Sequence, residues 1–533
     1  MEHSKKKGTF KKTIYRNRYL LLIFFPVLVY YLIFAYGPMF GLVIAFKDYQ
    51  PFIGVMGSKW VGFKHFERFF SSEFCGRVIK NTFGINILNL LLSFPAPIIL
   101  ALLLNEVRHP RFKKSVQTIT YMPHFISLVV IVGIMQDILS VDYGIINRII
   151  LFFGGEQIRF MTEPGWFKIL YVLSGIWQNV GWSSIIYIAA IDGIDQELYD
   201  AAMVDGANRW HKIRYITLPG ISDTIIILLI MQIGNMLNVA GGRQMRKSKF
   251  TVADIIIYLF LLFMIVVTLY PVIYIFSTSV SSTVSVMKNE VIFLPKGFSL
   301  GAYRQVFKND SIWTGYRNSI FLLIVGTAIN VIMNILAAYP LSRRGFCFRR
   351  SFMLMILFTM FFSGGMIPTY LVVDGLNLTD TLWGLIIPTA VSAYNVIIMR
   401  SFFENIPESL EEAVKIDGGN DLDILLKIFI PLSKPVIAVI ALYYGVGHWN
   451  GFTQALIYIR DRVKFPLQVI LRELLLQDKV RDMVEVSDVG DMLGATRSIQ
   501  YATIVVSIVP MLIVYPFLQK YFVKGVMIGA VKG

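Results

Sequence analysis

The sequence predicts an all-α membrane protein made of two homologous multi-span helical bundles, with about 11 transmembrane helices in all. Three observations predict it. Of the 533 residues, 56% are hydrophobic and 16% charged, and the mean hydropathy is +0.63, whereas a soluble domain carries about 25% charge. The segment DAAMVDGANRWHKIRYITLP, Asp200 to Pro219, returns 212 positions later as EAVKIDGGNDLDILLKIFIP, Glu412 to Pro431, and such repetition means that one plan is used twice. The net charge of +16 gathers beside the ends of apolar runs, at Lys5, Lys6, Lys7, Lys11, Lys12, Arg16 and Arg18, at Arg108, Arg111, Lys113 and Lys114, and at Arg343, Arg344, Arg349 and Arg350. Basic residues placed this way orient a membrane protein with those loops in the cytoplasm. The charge therefore speaks for a plasma-membrane topology in contact with lipid, and not for nucleic acid.

In the first half the apolar runs lie near Tyr19 to Phe46, Asn81 to Leu104, Ile119 to Leu139, Phe167 to Ala190 and Ile221 to Val239. In the second they lie near Ile255 to Phe276, Asn318 to Leu341, Phe352 to Val373, Thr381 to Ile398, Val436 to Gly447 and Tyr501 to Phe522. Most match the roughly 20 residues that a helix needs to cross hydrocarbon; Val436 to Gly447, interrupted by Gly445 and Gly447, is the weakest. The first run is too long for a cleaved signal segment and lacks an A-x-A site, so it reads as a retained span. With a cytoplasmic N-terminus, each repeated loop falls between the fourth and fifth spans of its half, in the cytoplasm.

A second register supports the duplication: Asn81 and Asn318 each open a span, and Ala101 and Ala338 follow 20 residues on. The halves differ in length, with 83 residues from Pro123 to Gly206 against 50 from Pro368 to Gly418. The extra stretch, Gly144 to Trp166, is expected on the outer face. The organisation is thus a first half at 1–240, a basic linker at 241–250 and a second half at 251–533. Five spans in the first half would leave the chain outside, yet the linker GGRQMRKSKF precedes a span that should start inside. A re-entrant fifth run, weakened by Asp223, Gln232, Asn235 and Asn238, would remove the conflict.

The repeated segment has an acid, an Ala, a Gly six residues after the acid and a Pro thirteen after the Gly. It resembles the EAA loop of permease subunits in bacterial ATP-binding-cassette importers, and over nearly the whole chain the two halves resemble the unequal permease pair of maltose-type sugar importers. The resemblance implies a type I importer permease fold, with sugar or oligosaccharide as cargo, an extracellular solute-binding protein that delivers it, and separate cytoplasmic ATPase subunits. It also implies that Asp200, Ala201, Ala202, Asp205, Gly206 and Pro219, with Glu411, Glu412, Ala413, Asp417, Gly418 and Pro431, form the loops that couple to the ATPase. Leu198 to Val204 and Leu410 to Ile416 supply a first short helix, and Gly206 and Gly418 the tight turn that glycine permits. By the same resemblance Glu411 and Glu412 offer carboxylates to basic residues of the ATPase, and Asp200 a shorter one. The family continues its larger partner with a sixth span that this first half lacks, and MRKSKFTVADIIIYLF from Met245 resembles a separate N-terminus, so the chain reads as two joined permease genes.

No Gly-Lys dipeptide occurs, so there is no phosphate-binding G-x-x-x-x-G-K-[ST] loop, and no G-x-S-x-G or H-E-x-x-H motif is present. The chain is expected to be no enzyme and to hold no cofactor or metal. Cys75 and Cys347 sit in different halves and read as packing residues. Polar groups within spans tend to face a cavity or another helix. Trp177, Gln178, Asn179 and Trp182 in the fourth run, Asn235 in the fifth, and Asn330 and Asn334 at i, i+4 in the second half are candidates for a path that accepts sugar rings and hydroxyls. Interhelical hydrogen bonding is the competing role for each. A secondary carrier and a non-functional fusion remain as alternatives, although Asp137 and Asp254, near span ends, give a carrier little support.

Overall fold

The computed structural model describes residues 14–107, 109–142, 144–222, 224–226, 229, 253–476 and 495–513. Gln232, Asn235, Asn238, the 241–250 linker and the chain after 513 lie outside the described residues, as does most of the fifth run of the first half. Helices dominate: α1 (Arg18–Phe46), α2 (Glu73–Glu106), α3 (Pro110–Phe125), α4 (Leu128–Ile138), α5 (Ile145–Phe152), α6 (Pro164–Asp192), α7 (Gln196–Val204), α8 (209–220) and α9 (Ala253–Ser279). They continue as α10 (Asp310–Ser342), α11 (Arg349–Phe361), α12 (Met366–Gly375), α13 (Trp383–Thr389), α14 (Ala393–Glu404), α15 (Glu408–Ile416), α16 (Asp421–Leu432), α17 (Lys434–Asn450), α18 (Leu467–Leu476) and α19 (Ala495–Ile513). Among the described residues, the only ladder pairs β1 (Lys47–Asp48) with β2 (Lys59–Trp60), Lys47 opposite Trp60.

Five helices, α1, α2, α10, α19 and the Tyr258–Ser279 part of α9, are long and apolar enough to cross a membrane, and the number rises to nine if four bent pairs each make one span. Those pairs correct the reading of continuous runs. The third run of the first half breaks between α3 and α4 at 103°, and in the second half α11/α12, α13/α14 and α16/α17 bend by 118°, 53° and 81°. The run expected at Val436 to Gly447 belongs to a longer helix, the 17-residue α17. Gly445 does not interrupt it; a Cβ there would lie 3.2 Å from Leu323, so the glycine lets two helices approach.

The chain divides into two compact units that do not follow the linear halves. Among the described residues, one joins those of 14–76 to those of 317–465; the other joins those of 77–316 to those of 466–513. In the first unit, Leu20, Ile23, Phe24, Val27 and Tyr31 form one stripe of α1 at i, i+3, i+4, i+7 and i+11, buried against Ile335 and Ala338 of α10, Met399 and Phe403 of α14, and Ile424 of α16. The small Ala337 and Ala338, both fully buried, allow that close packing. In the second unit, α9 plays the matching part: Leu261 packs with Leu100 and Leu104 of α2 and Val116 of α3, and Ile275 with Ile126, Val130 and Tyr501. Each first span is thus packed with the later spans of the other half. Of the two thiols, Cys75 is buried as expected of a packing residue, whereas Cys347 is exposed.

Loop anchoring is visible in both units. Asn147 of α5 is fully buried; its Nδ2 donates to Ser140 O and Ile158 O, both at 3.0 Å, and its Oδ1 accepts from Ile158 N at 2.8 Å, so the inserted Gly144 to Trp166 stretch is an ordered element. Between α12 and α13, Asp380 Oδ1 accepts from Arg460 N and Asp461 N at 3.1 and 3.0 Å, and its Oδ2 from Lys464 Nζ at 3.0 Å. The two backbone donors and the lysine hold its carboxyl down at about 2. A carboxylate held low stabilises the fold at every pH above its ordinary value near ~4 and loses that contribution only as pH falls through the lowered one. Backbone amide exchange at Arg460 and Asp461 is therefore expected to keep its protection from pH 8 to pH 5, and Asp380→Asn is expected to lower that protection equally across this range.

Candidate functional site

The two repeated loops end their first helix and begin their second leg the same way. The starts differ: Asp195 caps α7 by accepting from Glu197 N at 3.0 Å, whereas Pro407 precedes α15 and offers no side-chain cap. In the first loop the helix ends where Ala207 N donates to Ala202 O at 2.8 Å and Gly206 N to Met203 O at 3.1 Å. In the second, Gly419 N donates to Val414 O at 2.8 Å and Gly418 N to Lys415 O at 3.1 Å. These nested bonds form the Schellman ending, which needs a left-handed residue; Gly206 and Gly418 supply it at φ +73° and +81°. Next comes an asparagine in each copy: Asn208 Oδ1 accepts from His211 N at 2.9 Å, and Asn420 Oδ1 from Leu422 N and Asp423 N at 2.8 and 3.2 Å. The second leg widens into a π turn, Ile213–Thr217 and Leu425–Phe429, just before Pro219 and Pro431. A proline lacks the N–H for a regular turn and crowds the carbonyl four residues back, which the wider turn relieves.

What the loops present is partly as expected. Asp200, Ala201, Asp205, Glu412, Ala413 and Asp417 are exposed and Ala202 is half-buried. Glu411 departs from the expectation of a carboxylate offered outward. It is 8% exposed and in ion-pair contact with Nη1 of Arg343, while Lys415 Nζ lies 3.9 Å from its other oxygen. Arg343 sits at the end of α10, where Nη2 donates to Phe403 O at 2.9 Å, Nε to Ser342 Oγ at 3.0 Å, and the guanidinium lies 4.3 Å from the Phe429 ring centroid. Glu411 therefore ties the loop inward to its own bundle, and the free acid of this copy is Glu412. Tyr199 holds the equivalent place in the first loop and bonds Thr217 Oγ1 at 3.0 Å. The sequence reading also missed an apolar pair: Val204 and Ile416, in matching positions, are 89% and 85% exposed at the tips of α7 and α15. The 212-residue register contained the signal, since both are apolar just before the turn.

The intramembrane amides serve the helix breaks. Backbone freed by a break at membrane depth must find protein partners or a wet cavity. In the first half, Gln178 Nε2 donates to Ile126 O at 3.0 Å, in the α3/α4 break. Asn179 Oδ1 pairs with His124 Nδ1 at 3.0 Å, and that imidazole stacks on Trp182 at 4.4 Å. Trp177 Nε1 donates to Val267 O at 3.3 Å. In the second half, Tyr30 OH donates to Pro388 O at 2.9 Å, Asn330 Nδ2 to Thr389 O at 2.7 Å, and Ser392 N to Tyr444 OH at 2.7 Å, all at the α13/α14 break. His448 Nε2 meets Asn330 Oδ1 at 2.7 Å, and Asn334 Nδ2 reaches Tyr444 OH at 2.6 Å.

Asn330 and Asn334 are fully buried, and in this structure their amides bond to neighbouring helices and, from Asn334 Nδ2 to Asn330 O at 2.8 Å, within α10. Gln178 and Asn179 do line a cavity of about 750 Å³, with Asn81, Asn89, Lys168, Tyr171 and Ser174. A second cavity, of about 500 Å³, is lined by Tyr30, Ser392, Tyr443, Tyr444, His448 and Gln454. No group of three or more His, Cys, Asp or Glu suited to a metal occurs among the described residues.

Known proteins are similar to this chain in sequence. The polygalacturonan/rhamnogalacturonan transport system permease protein YtcP of Bacillus subtilis (strain 168) is 44% identical over 284 residues, which is 52% of this chain and 98% of that protein. The permease YteP of the same named system and organism is 51% identical over 222 residues, 42% of this chain and 69% of that protein. A chain from a solved bacterial ABC transporter involved in import of the acidic polysaccharide alginate is 38% identical, covers 52% of this chain and all of its own, and superposes with a TM-score of 0.47. The family described as binding-protein-dependent transport system inner membrane component matches residues 93–242 and 335–528, each stretch holding one of the two loops. By that match over more than half its length, the chain belongs to the inner membrane components of binding-protein-dependent transport systems.

Proposed function

We propose that this permease carries an acidic oligosaccharide inward, received from an extracellular solute-binding protein and driven by cytoplasmic ATPase subunits that dock on α7/α8 and α15/α16. The observation that carries the reading is the shared construction of the two loops, each a short helix closed by a left-handed glycine and followed by an asparagine-capped second leg, with an exposed acid and an exposed apolar tip. Asp200 and Glu412 supply charge to the docking surface, and Val204 and Ile416 supply apolar contact. A transport component of this kind hydrolyses nothing itself. The acidic cargo is supported by the two relatives named for polygalacturonan and rhamnogalacturonan transport. Amide, hydroxyl and aromatic groups lining the larger cavity suit sugar rings. Trp177, Gln178 and Asn179 remain the proposed path residues with Asn235, whereas Asn330 and Asn334 are proposed to hold the break open.

Cysteines placed at Ala202 and Ala413 are expected to crosslink to the ATPase in the assembled complex. Failure at both, in a membrane-inserted protein, overturns the docking reading, and failure at Ala202 alone points to a misfolded first half. Val204→Asp and Ile416→Asp are each expected to weaken ATPase association at least about tenfold, as loss of a central apolar anchor does, measured by titration of the purified complex. The proposed organisation, 1–240 and 251–533 around a cytoplasmic linker, is tested with a single cysteine at Ser248 in a chain lacking Cys75 and Cys347. Labelling from outside would favour a non-functional fusion.

A further inference from the structure

Lys168 lies on the first turns of α6, half-buried, and its ammonium rests over a bare stretch of α2: a Cβ built on Gly84 would lie 3.0 Å from Nζ and 3.7 Å from Cδ and Cε. The glycine makes a notch for the lysine between two helices. No ion pair to Lys168 forms among the described residues, and Glu163, which lines the same cavity, lies beyond pairing distance. A half-buried cation without a counter-ion is costly to keep, and one that borders a cavity at a helix start is a candidate for a ligand contact. Here it borders the 750 Å³ cavity with Asn81, Asn89, Ser174, Gln178 and Asn179. These amides and a hydroxyl recognise sugar hydroxyls, but only Lys168 and Glu163 carry charge into the lining.

We infer that Lys168 is a specificity residue for an anionic saccharide, its ammonium in the Gly84 notch taking the carboxylate of a uronate ring while the surrounding amides hold the hydroxyls. The inference rests on the proposed oligosaccharide import. A charged hydrogen bond to a carboxylate is stronger than a neutral one, and a lysine serves as a point charge that does not demand one ring orientation. That suits a cargo which must pass along the cavity and not lodge there. The bland alternative is that Lys168 merely snorkels, laying its stem along α2 with its head toward water.

Uptake of trigalacturonate is measured in cells that make the full chain with its ATPase and binding protein. Lys168→Gln is expected to lower the maximal uptake rate at least about tenfold, Lys168→Arg to stay within about twofold because it keeps the charge, and both to copurify with the ATPase as the unaltered chain does. Gly84→Leu, which fills the notch and leaves the charge, is expected to fall with Lys168→Gln. Unchanged uptake in Lys168→Gln overturns the inference and leaves a snorkelling lysine. Equal loss in Lys168→Arg and Lys168→Gln overturns it too, by assigning the effect to packing. If the unaltered chain imports no trigalacturonate, the proposed cargo falls and the role of Lys168 falls with it.

Discussion

Arg343→Met is expected to release the second repeated loop from its bundle and to lower stability by roughly 3–5 kcal/mol, the cost of leaving one member of a buried ion pair alone. The side chains of Arg343 and Glu411 are 10% and 11% exposed, so water compensates little for the lost partner. The same change removes the bond to Phe403 O and the cation over Phe429. Pairing it with Glu411→Leu is expected to recover most of the loss, because replacing both charges by apolar groups of similar size is often neutral or better. Thermal unfolding of the two single variants and the double variant in detergent measures the coupling. The loop itself is read separately, by the yield of crosslink from a cysteine at Ala413 to the ATPase. Equal melting of the unaltered chain and the three variants would show that the pair holds nothing.

Asn330→Leu is expected to have the second large effect, at most about 2–6 kcal/mol, since a buried polar group left without its partner costs about 1–3 kcal/mol and this change strands two. Thr389 O would lose its donor at the α13/α14 break, and His448 Nε2 would lose the Asn330 oxygen. Both residues border the cavity of about 500 Å³, so water there offsets part of the loss. Asn330→Asp, which keeps the acceptor for His448, is expected to cost less at the His448 side but still to leave Thr389 O unpaired. Comparing the unfolding midpoints of the two variants, with uptake measured beside them, separates the roles. Normal stability with lost uptake would return Asn330 to the solute path.

Much of this protein is legible before any coordinates. Membrane class follows from apolar runs that no soluble core needs, and the paired loops follow from a register exact to the residue. Gly206 and Gly418 adopt the left-handed geometry that their place after a helix demands, and Asn208 and Asn420 cap the second legs. Polar residues inside spans stand out in the sequence, but residue type does not fix their task. An asparagine that faces a sugar and one that satisfies a broken helix look alike in sequence, because both are amides on an apolar face.

The sequence by itself determined the membrane class and the duplication, and its repeated loop carried the resemblance to the family. Each rests on a local or periodic pattern: a span long enough for hydrocarbon, a charge at its end, a glycine after a short helix. Tertiary structure alone decided that the runs at α3/α4, α11/α12, α13/α14 and α16/α17 are bent, that each first span packs with the other half's helices, that Glu411 points inward to Arg343, and that Lys168 sits over Gly84. These depend on residues dozens to hundreds of positions apart. A hydropathy pattern reports how much a segment avoids water, whereas a bend or an ion pair depends on which distant carbonyl, ring or charge the fold brings within reach.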